Sequence, residues 1–174
     1  MKKLLSALAI ATTVFVSQAS AQEVADLNDL EMAHVAYTAD NIDIRYAHLA
    51  LALSSNPEIH KFANTMISDH TAVNEAALGL LDKLGASAQD NFFSKALNEN
   101  AEKIIDDFSK LRGAEFDAAY AANELAYHQT VNDLVENTMI PNIDNEEVRA
   151  LFKQGLEIFK VHEGHAEMMV KALQ

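Results

Sequence analysis

The chain has 174 residues and no cysteine, with 26 acidic against 13 basic residues, which gives a formal net charge of -13 at pH 7. The lack of cysteine excludes disulfides, thiolate catalysis and lipid attachment through an N-terminal cysteine. The acidic excess argues against nucleic acid or anionic lipid as a partner, because both are bound by neutralising phosphates with Lys and Arg. Metal ions or a cationic partner suit this balance better.

The N-terminal residues have the three parts of a secretory signal. Lys2 and Lys3 give the positive start, residues 4–16 form an apolar run, and Ala19-Ser20-Ala21 reads as a cleavage site. We therefore expect a signal peptide over residues 1–21, a single domain over residues 22–174, and export to the periplasm or the medium. No later stretch approaches about 20 apolar residues, so the sequence predicts no membrane span.

The first long helix is predicted over residues 26–54, and it has two distinct faces. Large side chains and two histidines form an apolar stripe made of Leu27, Leu30, His34, Tyr37, Ile44, His48 and Leu51. The neighbouring face is made of small residues, Ala36, Ala39, Ala47 and Ala50, with Asp43 among them. Because an unpaired buried carboxylate is costly, we expect Asp43 to meet a partner in the core or to lie where this face opens to water.

The second helix is predicted between Asn56 and Gly85. Asn56 is a good N-cap, Pro57 suits the first helical position, and Gly85 suits the C-terminal stop. Apolar residues recur every three or four positions along it, and His70 lies in the middle of this stripe. An imidazole that faces a core must satisfy two ring nitrogens away from water. We therefore expect partners for His70 on other helices.

A shorter helix is predicted over residues 94–111, where it would return the chain to its starting end, as a crossover does in ferritin-like topologies. The third long helix follows Gly113 and should stop before Pro141, because the residue ahead of a proline is pushed out of helical geometry. Asp144 or Asn145 caps the fourth. The sequence thus predicts an all-α fold, a ferritin-like four-helix bundle with a short helical crossover between the second and third long helices.

The levels of the polar residues in such a bundle follow from a rise of about 1.5 Å per residue. His70 and His128 come out at the same level, and Asp43 lies about 5 Å from it along the axis. His162 falls in a neighbouring layer, about 10 Å from His70. This ruler leaves open whether the three histidines share one site.

Neutral imidazoles that converge with ionised carboxylates suit a transition metal such as zinc, copper or iron. The candidate ligands are His70, His128 and His162 first, followed by Asp43, Glu124, Asp69, His34 and His165. A carboxylate-bridged di-iron centre fits less well, since it takes Glu-x-x-His from two helices and Glu31 with His34 is the single match. The main alternative is a buried hydrogen-bond network of histidine, aspartate and tyrosine that fixes the register of the helices.

Five segments carry a resemblance to a known family. They are Thr38 to Ile44, Phe62 to Asn74, Phe116 to Tyr120, Ala126 to His128 and His162 to Ala166. In this order they resemble the exported bacterial family called domain of unknown function 4142. The resemblance implies a ferritin-like helical bundle in the periplasm or outside the cell, and it implies no reaction.

The sequence lacks nucleophile arrangements, phosphate-binding loops and dinucleotide fingerprints, so it favours a non-catalytic role. We expect an exported helical protein that binds a transition metal through core or cleft histidines, in metal handling or envelope stress. A structural or interaction protein with a buried polar network is the alternative, and a ferritin-like oxidoreductase is the second alternative.

Overall fold

The computed structural model describes residues 24–173, and this part of the chain is helical without any strand. The five long helices are α1 (Asp29–Leu53), α2 (Pro57–Lys83), α3 (Phe92–Ser109), α4 (Gly113–Leu134) and α5 (Glu146–Ala172). The all-α prediction is therefore confirmed. No helix in the described part has the length and hydropathy that a membrane span requires. The predicted signal peptide over residues 1–21 lies outside the described residues.

Asparagine caps set where most of these helices begin. In four of the five, the side-chain oxygen of an asparagine accepts N–H groups of the first turn, and these caps are Asn28, Asn56, Asn91 and Asn145. Such a cap satisfies backbone donors that have no partner inside the helix. Because the cap of α1 is Asn28, this helix begins at Asp29 and not at residue 26 as the sequence predicted.

The helical path continues beyond α4 through Pro141. Val135–Met139 forms a π-helical turn, and Ile140–Asn142 forms a last α-helical turn. In the π turn the N–H of Ile140 donates to the carbonyl oxygen of Val135, five residues earlier. This wider turn lets the chain pass Pro141, which has no N–H to donate. The prediction that the helix stops before Pro141 is wrong for this reason.

The small-residue face of α1 is the face that packs into the core. Ala39, Asp43 and Ala47 are buried, whereas His48 on the predicted apolar stripe is exposed. Small side chains allow close approach, and α1 packs against three other helices, namely α2, α3 and α4. On the predicted apolar stripe, His34 is half-buried and His48 is exposed, so neither histidine reaches the buried polar layer through this stripe.

Two apolar clusters lie towards opposite ends of the long helices. The large cluster contains Tyr46, Phe108, Phe116 and Tyr120 together with residues from α2 and from the end of α5. The small cluster contains Met32, Val35, Leu134, Met139 and Leu156, with others from the opposite helix ends. Between the segments that supply these clusters, four helices carry buried polar side chains. α1 contacts α2 and α4, and α5 contacts both α2 and α4, so these four helices enclose the polar layer.

Candidate metal centre

Three buried histidines from three helices meet in this polar layer. His70 comes from α2, His128 from α4 and His162 from α5, and each is at most 3% exposed. Their ring centroids are 5.9 Å apart for His70 and His128, 5.3 Å for His70 and His162, and 5.5 Å for His128 and His162. Each offers one ring nitrogen, and these nitrogens lie within 4.8 Å of one another.

The position of His162 corrects the level assigned from the sequence. The ruler of 1.5 Å per residue placed it about 10 Å from His70, in a neighbouring layer, but the ring centroids are 5.3 Å apart. That estimate of axial position starts from assumed turn positions and treats the helix axes as parallel and in register. The axial offset of α5 is set by its packing against α2 and α4, which residue counting does not contain.

Each imidazole uses one ring nitrogen to donate a hydrogen bond to an outer acceptor. Nδ1 of His70 donates to Oδ1 of Asp40 at 2.8 Å, and Nε2 of His162 donates to Oδ2 of Asp69 at 2.9 Å. Nδ1 of His128 donates to the carbonyl oxygen of Glu124 at 2.9 Å. Since carboxylate and carbonyl oxygens accept, these contacts place an N–H on Nδ1 of His70, on Nδ1 of His128 and on Nε2 of His162.

The second nitrogen of each ring is buried and has no hydrogen-bond partner. These atoms are Nε2 of His70, Nε2 of His128 and Nδ1 of His162. A buried polar atom without a partner is rare in folded proteins and calls for an explanation such as an ion. In metal sites, the outer hydrogen bond on one nitrogen orients the ring so that the other nitrogen can coordinate. The three histidines have this arrangement.

Two fully buried carboxylates adjoin the histidines. Oδ2 of Asp43 is 2.6 Å from Nε2 of His70 and 3.5 Å from Nε2 of His128. The 2.6 Å contact is not directed as a hydrogen bond, so both atoms remain without a hydrogen-bond partner. Both carboxylate oxygens of Glu124 also lack a partner. Asp43, Glu124 and His128 form a second group whose ligand atoms lie within 4.8 Å of one another.

The imidazoles of the three histidines differ in pKa. Burial disfavours charge on His70, but the charge of the adjoining Asp43 and the hydrogen bond and charge of Asp40 outweigh burial and raise the pKa of His70 to about 10. Burial lowers the pKa of His128. Burial also lowers the pKa of His162 to about 4, against the opposing hydrogen bond with Asp69. Without a metal ion, His70 is therefore charged while His128 and His162 are neutral.

The two fully buried carboxyl groups also differ in acidity. Burial, reinforced by the charge of Asp43, raises the pKa of Glu124 well above its usual range. For Asp43, burial acts in the same direction, but the charge of His70 outweighs it and lowers the pKa. Asp43 is thus ionised beside His70, and Glu124 holds a proton or needs a cation.

The structure does not bring every predicted ligand to this centre. Asp69 reaches it only through its hydrogen bond to His162. His34 lies near Asp90, with Nδ1 and Oδ1 3.9 Å apart, and His165 is exposed. Neither belongs to the groups of converging ligand atoms. The carboxylate of Glu31 accepts the N–H of Asn28, so the Glu-x-x-His pattern of α1 serves a helix cap.

Two neighbours of His70 were not predicted as site residues. Asp40 orients the ring from one side, and Phe159 stacks on its face with ring centroids 4.8 Å apart and an interplanar angle of 13°. A signal for Asp40 exists in the sequence, since Asp40 and Asp43 are three residues apart and share the face of small residues on α1. No comparable signal marks Phe159, because aromatic residues are common on core stripes.

Comparisons with known proteins identify the family but no activity. Neither the curated proteins nor the solved structures contain a match to this chain. A family model, described as Domain of unknown function (DUF4142), matches residues 14–169. The match confirms the resemblance that the sequence motifs carry, and the chain belongs to this family.

Proposed function

We propose that this protein binds one transition-metal ion through His70, His128, His162 and Asp43, and that it acts in metal handling. The observation that carries the proposal is the pairing of roles in the three imidazoles. In each, one nitrogen donates to an outer acceptor and the other is buried without a hydrogen-bond partner. Three convergent imidazoles, two of which also adjoin Asp43, suit zinc, copper or iron.

The protonation states at the centre suit a metal cation. Asp43 is ionised, burial raises the pKa of Asp40, and the neutral forms of His128 and His162 are the forms that coordinate. His70 must release its proton when the ion binds, because a protonated imidazole has no lone pair at Nε2. Glu124 adjoins the ligands from α4 and is either a further ligand or a protonated neighbour of Asp43.

Binding needs the three ring nitrogens to move closer together and Nε2 of His70 to move away from Asp43. Tetrahedral donors at about 2.0–2.2 Å from an ion lie about 3.3–3.5 Å from one another. Nε2 of His70 and Oδ2 of Asp43 are 2.6 Å apart and would separate slightly. The ring nitrogens, which lie within 4.8 Å of one another, would draw together by up to about 1.5 Å.

Metal analysis of untagged protein tests the proposal. We expect about one ion per chain after purification, and tight binding when Zn²⁺ or Co²⁺ is added to chelator-treated protein. His128→Ala should abolish stoichiometric binding, whereas the matched variant His165→Ala, which changes an exposed histidine of α5, should keep it. Less than a tenth of an ion per chain, or equal binding by both variants, contradicts the proposal.

A buried ion-pair network is the second candidate function of these side chains. The observation that favours it is the 2.6 Å contact between His70 and Asp43, since a charged His70 between two aspartates satisfies part of the layer without a metal. In that case the protein is a structural or interaction module. It would take up no metal, and His128→Ala would change its stability alone.

We also propose a ferritin-like four-helix arrangement with α3 as the crossover, and export to the periplasm or the medium. Support for the arrangement comes from the packing of α1 on α2 and of α4 on α5, with α3 between these pairs in the chain. Support for export comes from the signal-like residues 1–21. N-terminal sequencing of protein from the periplasmic fraction tests export, and we expect the mature chain to begin at Gln22.

A further inference from the structure

The solvent-facing side of α5 carries a largely exposed stripe of uncharged residues. Val161 is 55% exposed, Met168 is 59% exposed and Ile158 is 38% exposed. Together with three further exposed residues they recur at alternating spacings of four and three, and the α5 stripe consists of Gln154, Ile158, Val161, His165, Met168 and Ala172. Single exposed apolar residues are common on proteins. This spacing, however, is that of the a and d positions of a heptad repeat, which line a helix that packs lengthwise on another helix.

The two edges of the α5 stripe differ in character. One edge adjoins the buried face of α5, where His162 and Met169 lie. The other edge carries Glu157, Gly164 and Lys171, which are exposed and stand one heptad apart. Nζ of Lys171 donates to Glu167 of the same helix at 2.7 Å, and an ammonium group keeps two further donors for another acceptor. The exposed edge therefore has a negative end, an uncharged middle and a positive end.

We infer that the α5 stripe binds the α5 stripe of a second copy of this chain, with the two helices antiparallel. In this register Ile158 lies opposite Met168 of the second copy, and Val161 lies opposite His165 of the second copy. Gln154 lies opposite Ala172 in the same way, so the stripe pairs along its whole length. Each layer joins an a position to a d position, as antiparallel helix pairing requires.

The charges of the exposed edge favour a second copy in this orientation. Glu157 and Lys171 stand one heptad on either side of Gly164. In the antiparallel pair each Glu157 therefore faces Lys171 of the other copy, and the two Gly164 residues meet beside the two-fold axis. A parallel pair would instead bring Glu157 to the level of Glu157. The surface is thus complementary to itself under a two-fold rotation, which is the property of a symmetric dimer interface.

The neighbouring face of α2 extends this surface. Asp69 of α2 contacts His162, so its side of α2 adjoins α5. Ala72 and Ala76 follow on the same side of α2 and are exposed, and their small side chains leave room for a second copy.

The size of the surface sets the expected strength of the dimer. At about 1.5 Å per residue the stripe is about 28 Å long, and at a helix width of about 10 Å it offers about 300 Å². With α2 the surface reaches about 600 Å² per copy, or about 1,200 Å² in total, which is the lower end of specific interfaces. We therefore expect a dissociation constant on the order of micromolar.

Sedimentation velocity of untagged protein tests the inference between about 1 μM and about 500 μM, a range that brackets such a constant. We expect the mass to rise from that of one chain to that of two. Val161→Lys places a charge in the middle of the stripe and should weaken the dimer at least ten-fold. The matched control is Leu78→Lys, at a leucine of α2 that is 50% exposed and lies outside the stripe, and it should dimerise as the wild type does.

A single-chain mass at every concentration would leave this face to a different partner and would overturn the inference. Equal weakening by Val161→Lys and Leu78→Lys would overturn it as well. Circular dichroism shows whether both variants keep their helix content.

Charge exchange at the exposed edge tests the orientation without any change in the stripe. Glu157→Lys opposes lysine to lysine in both pairs, and Lys171→Glu opposes glutamate to glutamate. Each single variant should dimerise about ten-fold more weakly, because two weak attractions become two repulsions. The double variant restores opposite charges and should regain the affinity of the wild type. Full affinity in both single variants, or a double variant as weak as either, contradicts the antiparallel dimer.

The inference does not rest on the proposed metal, because no residue of the α5 stripe belongs to the groups of converging ligand atoms. The charge-exchange variants should still bind about one ion per chain. Loss of the dimer and loss of the metal are therefore separate results.

Discussion

At the scale of single residues, the two ring nitrogens of His70 differ in what they contact. Nδ1 donates to Asp40 at 2.8 Å, and Nε2 lies 2.6 Å from Asp43 outside hydrogen-bond geometry. Asp40 therefore fixes the orientation of the ring, while Asp43 lies in front of Nε2 and is itself a proposed ligand of the ion. The affinity of the centre for metal should depend on both aspartates, for different reasons.

The role of Asp40 as a positioning residue predicts the effect of Asp40→Asn. Removal of the carboxylate weakens the hydrogen bond that holds the His70 tautomer, and loss of an outer partner of this kind costs about 10–100-fold in metal affinity. Competition with a chromophoric chelator measures the affinity. In the metal-free variant, NMR titration should also give His70 a lower pKa than in the wild type, because the carboxylate of Asp40 that raises this pKa is lost.

The control for this prediction is Asp90→Asn, which makes the same substitution at an exposed aspartate beside His34. Its metal affinity should equal that of the wild type. An equal loss in both variants would show that the acidic surface, and not the orientation of His70, sets the affinity.

The lowered pKa of His162 predicts a pH dependence of stability in metal-free protein. The unfolded chain takes up its proton near pH 6.5, whereas the folded protein resists protonation down to about pH 4. The unfolded state thus binds more protons between these values, and the free energy of unfolding falls as pH is lowered through this window. Below about pH 4, His162 has lowered the free energy of unfolding by its full amount of about 3 kcal/mol.

Urea unfolding at pH 7 and pH 4.5 measures this effect, with His162→Gln as the comparison. The variant should lose less stability over the same pH interval than the wild type does. Identical losses would show that His162 does not resist protonation in the folded state. Burial lowers the pKa of His128 as well, so part of the pH dependence should remain in the variant.

At the scale of helices, Asn91 does more than an ordinary N-cap. Its Oδ1 accepts the N–H groups of Phe93 and Ser94, and its Nδ2 donates to the carbonyl oxygen of Glu31 on α1 at 3.0 Å. Asn56 accepts one N–H, from Glu58, and its side chain makes no other hydrogen bond among the described residues. One asparagine thus caps a helix and joins two helices, while the other only caps.

This difference predicts a larger cost for Asn91→Ala than for Asn56→Ala. Loss of a cap costs about 1 kcal/mol, and the lost bond to Glu31 adds about 0.5–1.5 kcal/mol for Asn91. Chemical denaturation of both variants measures the free energies of unfolding. Equal costs would mean that the bond between α3 and α1 contributes nothing, and metal stoichiometry should stay unchanged in both.

The helices themselves were largely predictable, because caps and apolar periodicity are local signals. Asn56 with Pro57 marked the start of α2 correctly, and Asn145 marked the start of α5. The buried face of α1 was not predictable from hydrophobicity, since small residues around Asp43 carry little apolar signal. They are buried because three helices approach them.

The candidate site was predictable in its residue types and less so in its geometry. A histidine on each of three apolar stripes pointed to His70, His128 and His162, and all three meet. The axial position of His162 was wrong because helix offsets depend on tertiary packing. The outer partner of His128 was also beyond prediction, because it is a backbone carbonyl, and backbone groups leave no mark in a sequence.

At the scale of the whole molecule, the centre joins helices that are distant in sequence. Its residues come from α1, α2, α4 and α5, and they lie between the large and the small apolar clusters. An ion bound there would connect four helices through short bonds. Binding to the folded state alone then raises the stability of the entire domain.

This coupling predicts a higher melting temperature in the presence of metal. At a free ion concentration of about 100 times the dissociation constant, the stabilisation is about 2.7 kcal/mol. For a domain of this size it corresponds to a rise of roughly 5–10 °C. Circular dichroism measures the transition. His128→Ala should show no rise, and an equal rise in that variant would indicate binding elsewhere on the acidic surface.

The exposure of Asp69 has a consequence for the speed of metal exchange. Its side chain is 39% accessible, whereas those of His70, His128 and Asp43 are at most 4% accessible. An ion bound among these side chains would be shielded from water, and we expect its escape to require that the hydrogen bond between Asp69 and His162 breaks. We expect long residence times, with ions retained through hours of dialysis against a chelator. Exchange this slow would set the proposed centre apart from weak binding of ions to the acidic surface.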